Sequence, residues 1–193
     1  MKTCIFGGTF DPPHIGHLLI AQTIIESENF ERLIFVPANI SPAKKGKVIS
    51  SSKKRLDMLN LALTSNDNFE ISDFEINKGD ISYTVDTVVE FAKNLNLDKK
   101  DLYFLMGSDT LREFHKWKDP EKIMGLCNII VAIRPGFTPS DIPQWVLDEV
   151  HFANIPQFEI SSTTIRARWR DGKTIRYMAV SYTHLTLPTN CVV

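Results

Sequence analysis

Two imidazoles, His14 and His17, stand three residues apart in "GGTFDPPHIGH", residues 7–17. The same segment holds Gly7, Gly8 and Gly16 and the adjacent Pro12 and Pro13, with apolar runs on both sides. Glycines let a backbone approach a ligand closely. The prolines stiffen the chain and bar helix before residue 14. A loop that opens into a helix N-terminus is a natural anion site, and two imidazoles there can donate hydrogen bonds to phosphate oxygens. Three residues apart in a first helical turn, the rings share a face, with Gly16 keeping that face open. Phosphate recognition is the reading these residues favour. Two others stand beside it. An HxxH pair could supply two zinc ligands, but no third His or Cys is nearby and the glutamate of HExxH is missing, so no metal ligands are assigned. A tight turn with a capping histidine is the third. The loop is neither a Walker A nor a GxGxxG sequence.

Near the other end, "SSTTIRARWRDG" (161–172) begins with hydroxyls suited to a helix N-cap and stops at Gly172. Its alternatives are a second phosphate site and an ordinary capped helix with a solvated arginine face. A basic loop, "PAKKGK" (42–47), carries Lys44. Lys44 reads either as a phosphate contact or as part of a solvated surface.

These groups need a scaffold, and the pattern of short and long apolar runs supplies one. Residues 2–6, 32–38, 69–76, 101–107, 128–134 and 150–155 read as strands, short and rich in β-branched or aromatic residues. "LIFVP" and "IIVAI" are continuously apolar, as strands buried on both faces are. "FEISDFEI" alternates, which predicts an edge or half-exposed strand. Helices are expected from Gly16, from "SSKKRLDMLNLALTS" with Ser52 as N-cap and Leu56, Leu59 and Leu63 inward, over "YTVDTVVEFAKNL", and over the "SSTTIR" segment. Residues 135–147 read as a loop with a short helix. The alternation predicts an α/β fold, a Rossmann-like open and mostly parallel sheet with helices on both faces. Such sheets bind ligands at the carboxyl ends of their strands, where the strand order reverses.

The chain has 193 residues, 43% hydrophobic and 23% charged, with net charge −1. One domain over residues 1–180 is expected. The balanced charge gives no field for nucleic acid. Cys4, Cys127 and Cys191 are scattered with no CxxC, which suits reduced thiols in a cytoplasmic protein. No apolar run is long enough to span a membrane, and no secretory leader is read. A homo-oligomer is compatible with the sequence. The tail "SYTHLTLPTNCVV" (181–193) has no Asp, Glu, Lys or Arg and no helical period. It reads as an expression, assembly or frameshift scar, or as a natural short terminus.

"GGTFDPPHIGH" resembles the GxFxPxHxGH signature of the HxGH nucleotidylyltransferase superfamily, and "ISSTTIR" (160–166) resembles its second signature, ISSTxIR. The resemblance implies transfer of a nucleotidyl group from a nucleoside triphosphate to a phosphate acceptor, with pyrophosphate leaving. It makes His14, His17 and Arg166 the catalytic residues, with His17 as transition-state stabiliser. Gly7, Gly8, Thr9 and Phe10 would line ATP in the first loop. Ser161, Ser162 and Thr163 would hold its β- and γ-phosphates. Lys44 matches a PPHK-like element in which this chain has Ala43 at the histidine position. Mg²⁺ is the implied cofactor, held mainly by the ATP phosphates.

Further motifs narrow the acceptor. "DISYTVDT" (80–87) and "MGSDTLREFHKW" (106–117) resemble the SYTxDT and GxD…W elements of bacterial nicotinate-mononucleotide adenylyltransferases. The resemblance gives Trp117 a pyridine ring to stack on, and Tyr83 and Thr84 a nicotinate carboxylate to bind. It sets Gly107, Asp109 and the "IRPG" arginine, Arg134, beside ATP, Asp109 facing ribose hydroxyls or a metal-bound water. A packing role for Trp117 and an N-cap role for Asp109 remain alternatives. His14 replaces the threonine usual in phosphopantetheine adenylyltransferases. The substrates implied are ATP and nicotinate mononucleotide. The alternatives are the same chemistry on nicotinamide mononucleotide or phosphopantetheine, or a non-catalytic nucleotide-binding module.

Overall fold

Six short apolar runs become six strands in the computed structural model of the chain, which describes residues 1–42, 50–64 and 66–179. They are β1 (Thr3–Gly8), β2 (Arg32–Pro37), β3 (Phe69–Ile71), β4 (Leu102–Gly107), β5 (Asn128–Ala132) and β6 (Val150–Ala153). The sheet order is β3-β2-β1-β4-β5-β6, and every neighbouring pair is parallel. Along β1, Cys4 and Phe6 enter the apolar cluster on one face and Ile5 enters the cluster on the other. Burial on both faces is why these runs are apolar throughout.

Helices cover both faces, as the alternation predicts. On one side α1 (Ile15–Ser27) and α2 (Ser52–Leu63) insert Ile20, Ile24, Leu59 and Leu63. On the other, α4 (Thr84–Asn94), α5 (Ser108–Phe114), α6 (Pro120–Leu126) and α7 (Gln144–Leu147) insert Val85, Val88, Leu111, Phe114, Ile123 and Val146. A short α3 (Phe74–Lys78) follows β3. The last helix, α8 (Ser162–Arg170), packs Ile165 against Met58 of α2. No described helix is long and apolar enough to cross a membrane.

Two local expectations need correction. "FEISDFEI" is not one strand. The Ser72 N–H bonds to the Phe35 carbonyl, and the chain then turns, with Ser72 Oγ accepting from Phe74 N–H at 3.3 Å. The second half becomes α3 and ends at Gly79 in the left-handed region, φ 76°. The N-cap of α2 is Ser51, whose Oγ accepts from Lys54 N–H, while Ser52 Oγ donates to Asn39. Between β4 and β5 lie two helices of seven residues each, too short to show a hydrophobic period. Lys44 and the tail 181–193 lie outside the described residues.

Candidate active site

The strand order reverses between β1 and β4, so the loops leaving their carboxyl ends diverge and leave a crevice. The first loop is held by close packing. A Cβ on Gly8 would lie 2.7 Å from the Phe10 ring, and one on Gly7 would lie 3.0 Å from Phe104. Phe10 adopts φ 50° and is only 1% exposed, edge-on to Phe6 and against Phe35 and His17. Its ring is therefore core, and its backbone is what it can offer a nucleotide. Gly7 and Gly8 serve this packing and also line the crevice.

His14 is the N-cap of α1 and His17 stands at its third position. The rings stack, centroids 3.7 Å apart. The His14 N–H donates to His17 Nδ1 at 3.2 Å, so the neutral His17 ring carries its proton on Nε2. A Cβ on Gly16 would lie 2.5 Å from Phe158 and 3.0 Å from His14 Nδ1. Gly16 thus does not keep a face open, as the spacing suggests; the Phe158 and His14 rings fill the space a side chain there would take. His14 is 1% exposed, and this burial drives its pKa down to about 4, with the Arg134 charge adding to the effect. At neutral pH the ring is uncharged, and its buried Nδ1 finds no partner among the described residues.

The α8 N-terminus meets the same loop. Ser162 Oγ donates to the Pro12 carbonyl at 3.0 Å, and Arg166 Nη1 donates to the Asp11 carbonyl. Arg166 Nη2 reaches Thr163 Oγ1 at 3.3 Å. Ser161 Oγ caps the helix by accepting from Thr164 N–H at 3.1 Å. The hydroxyls of Ser161, Ser162 and Thr163 are thus engaged within the protein. What the helix presents to an anion is its first-turn N–H groups, at Ser162 and Thr163, and the Arg166 charge.

A cavity of about 580 Å³ fills the crevice. Gly7, Gly8 and Thr9 line it from the β1 loop and Gly107 and Asp109 from the end of β4, and Tyr83, Thr84 and Trp117 line it as well. Tyr83 is the extended N-cap of α4 and Thr84 its first residue, so first-turn N–H groups lie there too. Trp117 is half-buried, against Phe104 and Phe114, and also lines the cavity, so packing and ligand contact are compatible. Asp109 is not an N-cap; Gly107 holds that position of α5. Asp109 pairs with Arg134 at 3.2 Å, which ties the cavity wall to a charge that acts on His14. No group of three His, Cys, Asp or Glu among the described residues could hold a metal ion.

Two buried charges escape the motif reading. Arg55 is 0% exposed, and Glu75, largely buried, lines the cavity. Burial pushes the Glu75 carboxyl up, against hydrogen bonds from Thr87 and Ser82. The signal for Arg55 was present: it lies one turn before Leu59, on the apolar stripe of α2.

The family model described as cytidylyltransferase-like matches residues 5–168. A Desulfitobacterium hafniense protein named "probable nicotinate-nucleotide adenylyltransferase" is 39% identical over 182 residues, covering 90% of this chain and 86% of that one. A Clostridium tetani protein of the same name is 36% identical, covering 91% and 90%. The solved Plasmodium falciparum nicotinic acid mononucleotide adenylyltransferase, complexed with NaAD, shares the fold at TM-score 0.78 and 20% identity, over 97% of this chain and 95% of that one. The chain belongs to the cytidylyltransferase-like family and, within it, to the nicotinate-nucleotide adenylyltransferases.

Proposed function

We infer that the protein moves AMP from ATP to nicotinate mononucleotide, forming nicotinate adenine dinucleotide and releasing pyrophosphate. The relatives' shared name supports this, and so does the dinucleotide bound to the P. falciparum enzyme. The observation that carries the reading is the cavity at the β1–β4 reversal. Bare glycine backbone at Gly7 and Gly8, the α4 N-terminus at Tyr83 and Thr84, and the Trp117 ring all line it.

The acceptor phosphate attacks the α-phosphorus in line. One P–O bond forms as the bond to pyrophosphate breaks, with no covalent enzyme intermediate. Catalysis is then positioning and charge stabilisation. Gly7, Gly8, Thr9 and the Phe10 backbone bring main chain up to the ATP phosphates. His17 donates from Nε2 to the oxygens that gain charge, and His14 fixes that tautomer while donating to the same triphosphate. The first-turn N–H groups of α8 and the Arg166 guanidinium hold the departing β- and γ-phosphates. Lys44 adds a cation to that anion.

Gly107, Asp109 and Arg134 flank the adenosine, Asp109 facing its ribose or a metal-bound water. Mg²⁺, when bound on the phosphates, screens their charge. Trp117 stacks on the pyridine ring. The N–H groups at Tyr83 and Thr84 receive the nicotinate carboxylate.

Pyrophosphate release with a panel of acceptors tests the assignment. The nicotinate mononucleotide kcat/KM should exceed those of nicotinamide mononucleotide and phosphopantetheine. Turnover with phosphopantetheine alone, or with no pyridine nucleotide, would refute it.

A further inference from the structure

Arg55 lies in no motif and is absent from the cavity wall, yet it is the largest fully buried side chain among the described residues. Its guanidinium spends its donors on separate pieces of backbone. Nη1 donates to the Thr9 carbonyl at 3.0 Å, and Nε to the Ser50 carbonyl at 3.2 Å. Nη2 donates to the Asn39 carbonyl at 3.3 Å and to Ser52 Oγ at 3.2 Å. Thr9 belongs to the nucleotide loop. Asn39 belongs to the segment after β2, and that segment is tied to the acceptor loop. Asn39 N–H donates to Ser82 Oγ at 2.8 Å, Asn39 Nδ2 to the Asp80 carbonyl at 3.2 Å, and Ser82 N–H to the Ile40 carbonyl at 3.0 Å. Ser82 directly precedes Tyr83. A polar path therefore runs from Thr9 through Arg55 and Asn39 to Ser82, the residue before Tyr83.

Burying a cation this completely is costly unless its hydrogen bonds and counter-charges are in place. The charges of Asp11 and Glu75 supply the second, one from each loop system. A planar, five-donor fork is the only side chain that can hold three carbonyls at fixed angles. A hydrophobic residue would leave those carbonyls unpaired. A lysine would keep the charge and lose the geometry.

We propose that Arg55 is a positioning residue that sets the separation of the nucleotide loop from the acceptor loop, and so the alignment of the acceptor phosphate with the α-phosphorus. The inference rests on the Thr9 loop and the Tyr83–Thr84 helix start being parts of the two substrate subsites. Alignment acts on turnover more than on binding, since each substrate keeps its own contacts.

The test compares wild type with Arg55→Lys. Steady-state kcat and both KM values are measured, with competent sites counted by calorimetric titration with a non-cleavable ATP analogue. We expect kcat per competent site to fall by about tenfold to a hundredfold while each KM stays within about threefold. A merely structural role would lower the number of competent sites and leave turnover per site intact. A kcat per site within about threefold of wild type, or a loss confined to one KM, overturns the proposal. If Arg55→Lys yields no competent sites, Ser82→Ala decides, because it cuts the same path at its far end. A several-fold drop in kcat per site supports the proposal, and an unchanged kcat overturns it. Wild type that binds neither the analogue nor nicotinate mononucleotide would instead refute the subsite assignment, and the proposal with it.

Discussion

Acid should unfold this protein partly through one ring. His14 is buried as a neutral imidazole, its pKa lowered from 6.5 to about 4 by desolvation and then by Arg134. In the unfolded chain the ring takes up a proton near 6.5. In the folded chain it resists until about 4. The unfolded state therefore binds the extra proton first as pH falls. The stability tied to the neutral ring is complete above about 6.5, declines through the window below it, and is gone by about 4. At about 1.4 kcal/mol per pH unit, the gap between 6.5 and about 4 corresponds to about 3 kcal/mol. His14→Gln keeps a polar side chain of similar size with no proton to gain. Urea unfolding between pH 7.5 and 4.5 should show wild type losing up to about 3 kcal/mol more than His14→Gln across that range. Carboxylates titrate in both proteins and cancel in the comparison. Proton NMR should find one imidazole that does not titrate between pH 8 and 5, and an ATP analogue should raise its midpoint, because the triphosphate charge favours the imidazolium. Parallel stability curves for the two proteins, or a His14 midpoint near 6.5, would refute the reasoning.

Other substitutions probe the neighbouring contacts. His17→Ala should lower kcat far more than it weakens binding of ATP, measured by steady-state kinetics and calorimetry; equal losses would make the ring a ground-state contact. Gly16→Ala should destabilise by about 1–3 kcal/mol in urea melts, because its methyl would meet Phe158 at 2.5 Å and His14 at 3.0 Å. Trp117→Ala should raise the acceptor KM by about two- to thirteen-fold for the loss of about 0.5–1.5 kcal/mol of stacking, with the ATP KM little changed. Thiol labelling should be slow at Cys4 and Cys127 in the native protein, since both are buried and burial raises both thiols, Cys127 to about 12.

The sheet was legible because its strands are buried on both faces, which demands unbroken apolar runs such as "LIFVP" and "IIVAI". The motif loops were legible because glycine, proline and histidine crowd into a strand-helix junction. Their internal packing was not. Nothing in the order of letters says that Phe10 folds back over Gly8, or that Gly16 makes room for Phe158. The alternation in "FEISDFEI" suits a strand, but a serine-led turn and a glycine stop take its second half into helix. Helices α5 and α6 span two turns each and carry too few residues to declare a period. The place of Arg55 on the apolar stripe of α2 marks it as inward, but only tertiary structure brings three carbonyls to it.

The most direct measurement is product identity. Purified protein, ATP, Mg²⁺ and nicotinate mononucleotide should yield nicotinate adenine dinucleotide and pyrophosphate in equal amounts by mass spectrometry and phosphate assay. Pyrophosphate without the dinucleotide, or ATP bound with neither product formed, would contradict the account.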